Sequence, residues 1–167
     1  VAYDISEGLA RAACAGEVDG EVVDLRTVLD KDCELNILTA RDEKGLAVLR
    51  HTASHVMAEA VQNLYPNAKV AIGPSIDTGF YYDFECQSFT RDDLDAIEKE
   101  MKKIIKKGAK IERFTKSREE AIAFFKEKNE PYKVELIEDL PEDAEISFYS
   151  QGDWVDLCAG PHLMSTK

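Results

Sequence analysis

The 167-residue chain carries only three histidines, and each stands four positions from another side chain able to hold a metal or move a proton. His51 and His55 form one pair in "RHTASHVMAEA"; Cys158 and His162 form the other in "CAGPH". On a helix, positions i and i+4 lie one above the other, so both imidazoles of the first pair address one small volume. In the second pair Gly160-Pro161 marks a turn that returns His162 toward Cys158. Three imidazoles and a thiol are the ligand types of a tetrahedral zinc site. The blander reading gives each histidine a separate local hydrogen bond. Finding every histidine of the chain in such a pair favours a common site.

The elements that must position these residues follow from periodicity and caps. From about Leu46 to Tyr65, apolar residues at 49, 53, 56, 57, 60, 61 and 64 recur with helical period and form one stripe. His51 and His55 fall on the other side of that helix, so they are not expected in its core. Pro66 ends it, and "AKVAIGPSIDTGFYYDFE" alternates like a hairpin with turn signals at Gly73-Pro74 and Thr78-Gly79. "TRDDLDAIEKEMKKIIKKG" is a second amphipathic helix, with Thr90 as N-cap, acids in its first turn, lysines in its last and Gly108 as C-cap. After it come a strand "KIERFT", a helix "SREEAIAFFKEKN", strands "YKVELIEDL" and "EISFYSQG", and the closing "DWVDLCAGPH". Ahead of these, residues 1–39 give a short helix "SEGLARAACAG" ended by Gly16 and two short strands, "EVVDL" and "CELNILT". "ARDEKG", 40 to 45, is a polar linker. The mixture predicts an α+β chain with antiparallel pairing: a partial first domain over 1–40 and a larger one over 41–167.

Composition limits the function. A hydrophobic content of 44% with 32% charged residues reads as globular and soluble. No apolar run approaches the roughly 18 to 20 residues of a membrane span, and the first residues are not a secretory signal. The four cysteines show no CxxC pair, which favours reduced thiols, and Cys14 among alanines is expected to be a small buried side chain. A net charge of −12 argues against nonspecific nucleic-acid binding. Only 102–118 is strongly basic, either as the solvated face of a helix and its exit or as a surface against a nucleic-acid backbone.

"RHTASHVMAEAVQNLYPNAKVAIGPSIDTGFYYDFE" and "DWVDLCAGPH" closely resemble the editing domain of bacterial threonyl-tRNA synthetases. Residues 3–39, with "GLARAACAGEVDGEVVDL", resemble the back half of the small β-grasp (TGS) domain at the N-terminus of those enzymes. The resemblance implies a cytoplasmic proofreading hydrolase that removes serine wrongly attached to threonine tRNA. Its partners would be the tRNA acceptor end and the remaining synthetic and anticodon-binding domains, with no membrane. It implies that His51 and Lys133 activate water and transfer protons, with His55, Cys158 and His162 completing the pocket. Asp156 falls where the hydroxyl and amino group of the seryl moiety are recognised, and Tyr82, Tyr149 and the backbone near Gly73 where the terminal adenosine and amino acid are held. Taken alone, Lys133 reads as a surface lysine and Asp156 as a turn acid.

The same constellation holds zinc in the related alanyl-tRNA editing domains, whereas the threonyl resemblance implies no required metal. The expectation here is hydrolysis with no required cofactor, zinc being compatible with His51, His55, Cys158 and His162. Lys133 tips that choice, since a positioned cation already stabilises an oxyanion. Two departures from the family pattern are expected: the β-grasp part lacks its first hairpin, and the editing domain stops before some closing strands. Three other readings stay open. They are the same two domains in a kinase-like protein, a zinc-binding structural module without activity, and a regulatory binding module.

Overall fold

The computed structural model describes all 167 residues. The chain opens with two short helices, α1 (Ala2–Ile5) and α2 (Glu7–Ala12), the second capped by the Ser6 hydroxyl, which accepts from Leu9 N at 3.1 Å. Strands β1 (Ala13–Val18), β2 (Glu21–Val23) and β3 (Leu35–Thr39) form an antiparallel sheet in the order β2-β1-β3. This corrects the expectation of a helix running to Gly16: it stops at Ala12, and "ACAGEV" is the central strand. Alanine-rich sequence favours helix locally, but pairing on both edges and burial of Cys14 and Ala15 against Leu38 and Val48 outweigh that preference.

Helix α3 (Glu43–Leu64) is the axis of the molecule. Its stripe of Val56, Ala60 and Val61 packs on Ile97 and Ile104, as the periodicity requires. It is not one-sided, however: Val48 meets the first sheet, and Ala58 meets Val70 and Tyr82. His55 is therefore buried, only 4% exposed, contrary to the expectation from its position opposite the stripe.

The predicted hairpin is nested. Strands β4 (Lys69–Val70) and β7 (Phe84–Glu85) pair at its base, and β5 (Ser75–Ile76) and β6 (Gly79–Phe80) pair at its tip. Helix α4 (Arg91–Lys107) has a Thr90/Asp93 capping box and a left-handed Gly108 C-cap, as read from sequence. Much of its basic exit is neutralised nearby, Lys102, Lys103 and Lys110 pairing with Glu98, Glu100 and Glu112.

Strand β8 (Ile111–Thr115), helices α5 (Arg118–Glu127) and α6 (Pro131–Asp139), and strands β9 (Ser147–Gln151) and β10 (Trp154–Leu157) complete the fold, with sheet order β10-β9-β8. Here "YKVELIEDL" is a helix, not the expected strand. Pro131 occupies its first turn, and Val134 and Ile137 point into a core with Ala121, Phe125, Ile146 and Phe148. Short apolar runs satisfy both periods, and only the packing partner decides between them. Beyond β10 the chain returns along the free edge of β8, where Ile111 N donates to the Met164 carbonyl and Lys110 bridges Ser165. All four cysteines are free thiols, and no helix is long and apolar enough to cross a membrane.

Candidate active site

Helix α3 and the segment after β10 bring all four paired residues together. Cys158 Sγ lies 3.4 Å from His51 Nε2 and 3.2 Å from His162 Nε2, and one ligand-type atom from each of His51, His55, Cys158 and His162 falls within 4.8 Å of the others. The turn between Cys158 and His162 depends on Gly160: its φ of +77° suits glycine, and a Cβ there would strike the Tyr149 hydroxyl. Gly160 N also donates to Cys158 Sγ at 3.2 Å.

One of the donors is oriented from behind. Thr52, one residue after His51, places Oγ1 3.0 Å from His162 Nδ1 and accepts from Leu163 N at the same distance. Such support fixes ring orientation and tautomer at metal sites.

Burial sets the protonation states. It pushes His55 down to about 4, against the pull of Asp156, and holds His51 and His162 below the ordinary imidazole range. It pushes the Cys158 thiol up to about 12. Near neutral pH the cluster is three neutral imidazoles and a protonated thiol. The two sulfur–nitrogen separations are close to the edges of roughly 3.3 to 3.6 Å in a tetrahedron of donors around zinc. The residues present therefore fit a zinc ion, provided the thiol gives up its proton.

Beside this cluster lies a second group. Lys133, from α6, places Nζ 2.7 Å from Asp156 Oδ1 and 2.9 Å from the Tyr82 hydroxyl, which itself donates to Asp156 Oδ2 at 2.6 Å. His55 Nε2 stands 3.6 Å from the same Oδ2, linking the groups. Lys133 is 2% exposed and Asp156 1%. Burial alone would raise the Asp156 carboxyl, but Lys133, His55 and Tyr82 outweigh it and hold the group below its ordinary value. Lys133 is thus no surface lysine, and Asp156 no turn acid.

His51, His55 and Cys158 of the first group and all three residues of the second line a cleft of about 280 Å³ whose rim includes Gly73, Pro74 and Ala159, while His162 is buried beneath it. A Cβ on Gly73 would collide with the Tyr82 ring, and its carbonyl accepts from the Ser54 hydroxyl at 2.7 Å. A larger cavity, about 500 Å³, is apolar and lies elsewhere, between α1 and the first sheet. It holds none of the candidate residues. Of those, His162 and Tyr149 do not line the cleft. Tyr149 sits behind His162, ring centroids 4.5 Å apart, and donates its hydroxyl to Asp24 Oδ2 at 2.7 Å.

Sequence reasoning missed the supporting residues: Thr52, Glu130 and the pair Asp24 and Arg26. The only signal for Thr52 was its place beside His51. Glu130 accepts from Gln62 Nε2 at 2.6 Å and Val70 N at 3.1 Å, just before α6. Gln62 in turn accepts from Trp154 Nε1, whose ring stands edge-on to His55.

Two protein families match parts of this architecture. Residues 1–39 match the TGS domain, and residues 146–167, which contain Cys158 and His162, match the threonyl and alanyl tRNA synthetase second additional domain. Over 167 residues, 99% of the chain, it is 64% identical to the threonine–tRNA ligase of Acetivibrio thermocellus and 58% identical to that of Caldanaerobacter subterraneus subsp. tengcongensis. Over 168 aligned residues, 100% of the chain, it is 57% identical to that of Clostridium novyi. The chain spans about a quarter, 26%, of the length of each of these relatives.

Proposed function

We propose that this chain is the editing region of a threonine–tRNA ligase, and that its cleft hydrolyses the ester of seryl-tRNA made in error on threonine tRNA. The observation that carries the reading is the contact between the cluster of His51, His55, Cys158 and His162 and the Lys133–Asp156–Tyr82 group, with His51, His55, Cys158 and the second group lining one cleft. Serine is threonine without a methyl group, and a synthetic pocket gains only about 1 to 3 kcal/mol against a smaller substrate, so a second sieve is needed.

In this reading the ester carbonyl enters the cleft with a water molecule. Neutral His51, at the cleft wall, takes a proton from that water as it attacks. The Lys133 ammonium stabilises the charge that develops on the carbonyl oxygen. Protonated His51 then returns the proton to the departing ribose oxygen. Asp156 has both oxygens engaged, so it acts on substrate by fixing Lys133 and Tyr82, and the seryl hydroxyl and amino group meet those side chains. Gly73 and Tyr82 form the wall against the terminal adenosine, and Tyr149 backs His162. His51, His55, Cys158 and His162 would hold a zinc ion, which when bound supplies Lewis-acid polarisation. The steps above run through side chains and water alone. The partners implied are the tRNA acceptor end and the rest of the ligase, in the cytoplasm.

A second reading, a zinc-binding structural module, is favoured by the support that Thr52 gives the His162 ring. Deacylation decides between them. The chain is expected to release serine from seryl-tRNA for threonine faster than threonine from threonyl-tRNA, at micromolar protein. Equal rates, or rates no higher than buffer, refute the hydrolase.

A further inference from the structure

The backbone of His162 is held by residues that lie 136 to 138 positions earlier in the chain. Asp24 and Arg26 follow β2, within the segment that matches the TGS domain. Asp24 Oδ2 accepts from His162 N at 3.3 Å, and the Arg26 guanidinium donates to the His162 carbonyl at 3.3 Å and to the Leu163 carbonyl at 2.9 Å. Both peptide groups of His162 are therefore tied to one ion pair. That pair is itself ordered. Asp24 Oδ1 receives Arg26 N at 2.9 Å and Arg26 Nη1 at 2.8 Å, Arg26 also donates to the Ile111 carbonyl, and the guanidinium lies 5.6 Å over the Tyr149 ring. Both side chains are largely shielded from water.

The arrangement suits arginine alone, because a planar fork of donors spans several carbonyls at fixed angles where an ammonium reaches one or two. Thr52 fixes the ring of His162 from the other side. The ring and the backbone of His162 thus have separate supports, one on α3 and one in the first module.

We propose that Asp24 and Arg26 are positioning residues that hold His162 Nε2 in the four-donor arrangement, so that the first module completes the site rather than merely adjoining it. The inference rests on reading the His51, His55, Cys158 and His162 cluster as the working site. Its test uses a readout separate from hydrolysis. The whole chain and its Asp24→Asn, Arg26→Gln and Arg26→Lys variants are titrated with cobalt(II) at a temperature where circular dichroism shows each folded, following the thiolate-to-cobalt absorption band. Lys44→Gln is the control, since it breaks the ion pair that joins the two modules, Lys44 with Glu17, without touching His162.

The parent is expected to bind cobalt, Asp24→Asn and Arg26→Gln to lose at least about tenfold in affinity, and Lys44→Gln to stay within about twofold. Arg26→Lys, which keeps the charge opposite Asp24 but not the fork, should regain melting temperature without regaining cobalt affinity. Parent-like affinity in Asp24→Asn and Arg26→Gln, affinity that follows melting temperature across the whole series, or no cobalt binding by the parent would each overturn the proposal. Parallel deacylation assays keep the two ideas apart. A parent inactive on seryl-tRNA but showing the expected cobalt pattern refutes the hydrolase and upholds the positioning role.

Discussion

Lys133 and Asp156 are both closed off from water, so their pair is costly to break from either side. Removing one partner of a buried ion pair leaves an uncompensated charge and costs about 3 to 5 kcal/mol, whereas replacing both with apolar groups is often near neutral. Lys133→Met is therefore expected to lower stability by that amount and, in the proposed mechanism, to slow deacylation by about 10² to 10³ for loss of one stabilising group. Lys133→Met combined with Asp156→Leu should recover most of the stability and none of the activity. Urea unfolding beside single-turnover deacylation checks both halves. A double variant as unstable as the single one would show that Asp156 is not what Lys133 compensates.

At the scale of elements, α6 is what aims Lys133 into the cleft, and its start is pinned by Glu130 to α3 through Gln62 and to β4 through Val70 N. No other contact ties the first turn of α6 to both elements through one side chain. Glu130→Ala leaves the Val70 N–H without its side-chain acceptor and takes one of two acceptors from the Gln62 amide, which keeps its bond to the Ala68 carbonyl, at roughly 1 to 3 kcal/mol for a buried donor left unpaired. The expected result is a lower urea midpoint with an unchanged slope, because the exposed surface on unfolding stays the same. A midpoint equal to the parent's would show that α6 is fixed by its apolar face alone.

For the whole molecule, the buried histidines make stability depend on mild acid. His55 has an ordinary value of 6.5 when unfolded and about 4 when folded, so between those values the unfolded chain binds the proton and the folded chain does not. Stability is then fully present above about 6.5 and falls as pH drops toward 4, by about 3 kcal/mol for this group. His51 and His162 are depressed by burial in the same direction and add to the slope. Glu59 and Glu130, raised by burial, act oppositely just above their unfolded value of 4.5. Urea midpoints measured from pH 5 to pH 7.5 should rise with pH, and His55→Gln should flatten the rise. A flat profile in the parent would contradict the buried, neutral cluster.

By itself the sequence determined the two histidine pairings, helix α3 with its apolar stripe, helix α4 with both caps, and the hairpin that follows α3. Each of these is written in residues a few positions apart, where helical period, cap chemistry and turn residues act without distant partners. It also carried the resemblance that singled out Lys133 and Asp156. It did not reveal that "YKVELIEDL" is a helix or that "ACAGEV" is a strand. Both segments satisfy two local patterns, and the sheet edges and cores available around them made the choice. Nor did it reveal that His55 is buried, because a stripe describes one face of a helix and α3 is packed on several. Tyr149 was placed at the substrate, yet the fold turns it toward Asp24. The grip of Asp24 and Arg26 on His162 spans most of the chain, and which carbonyls an arginine fork meets is fixed only when the two modules are packed together.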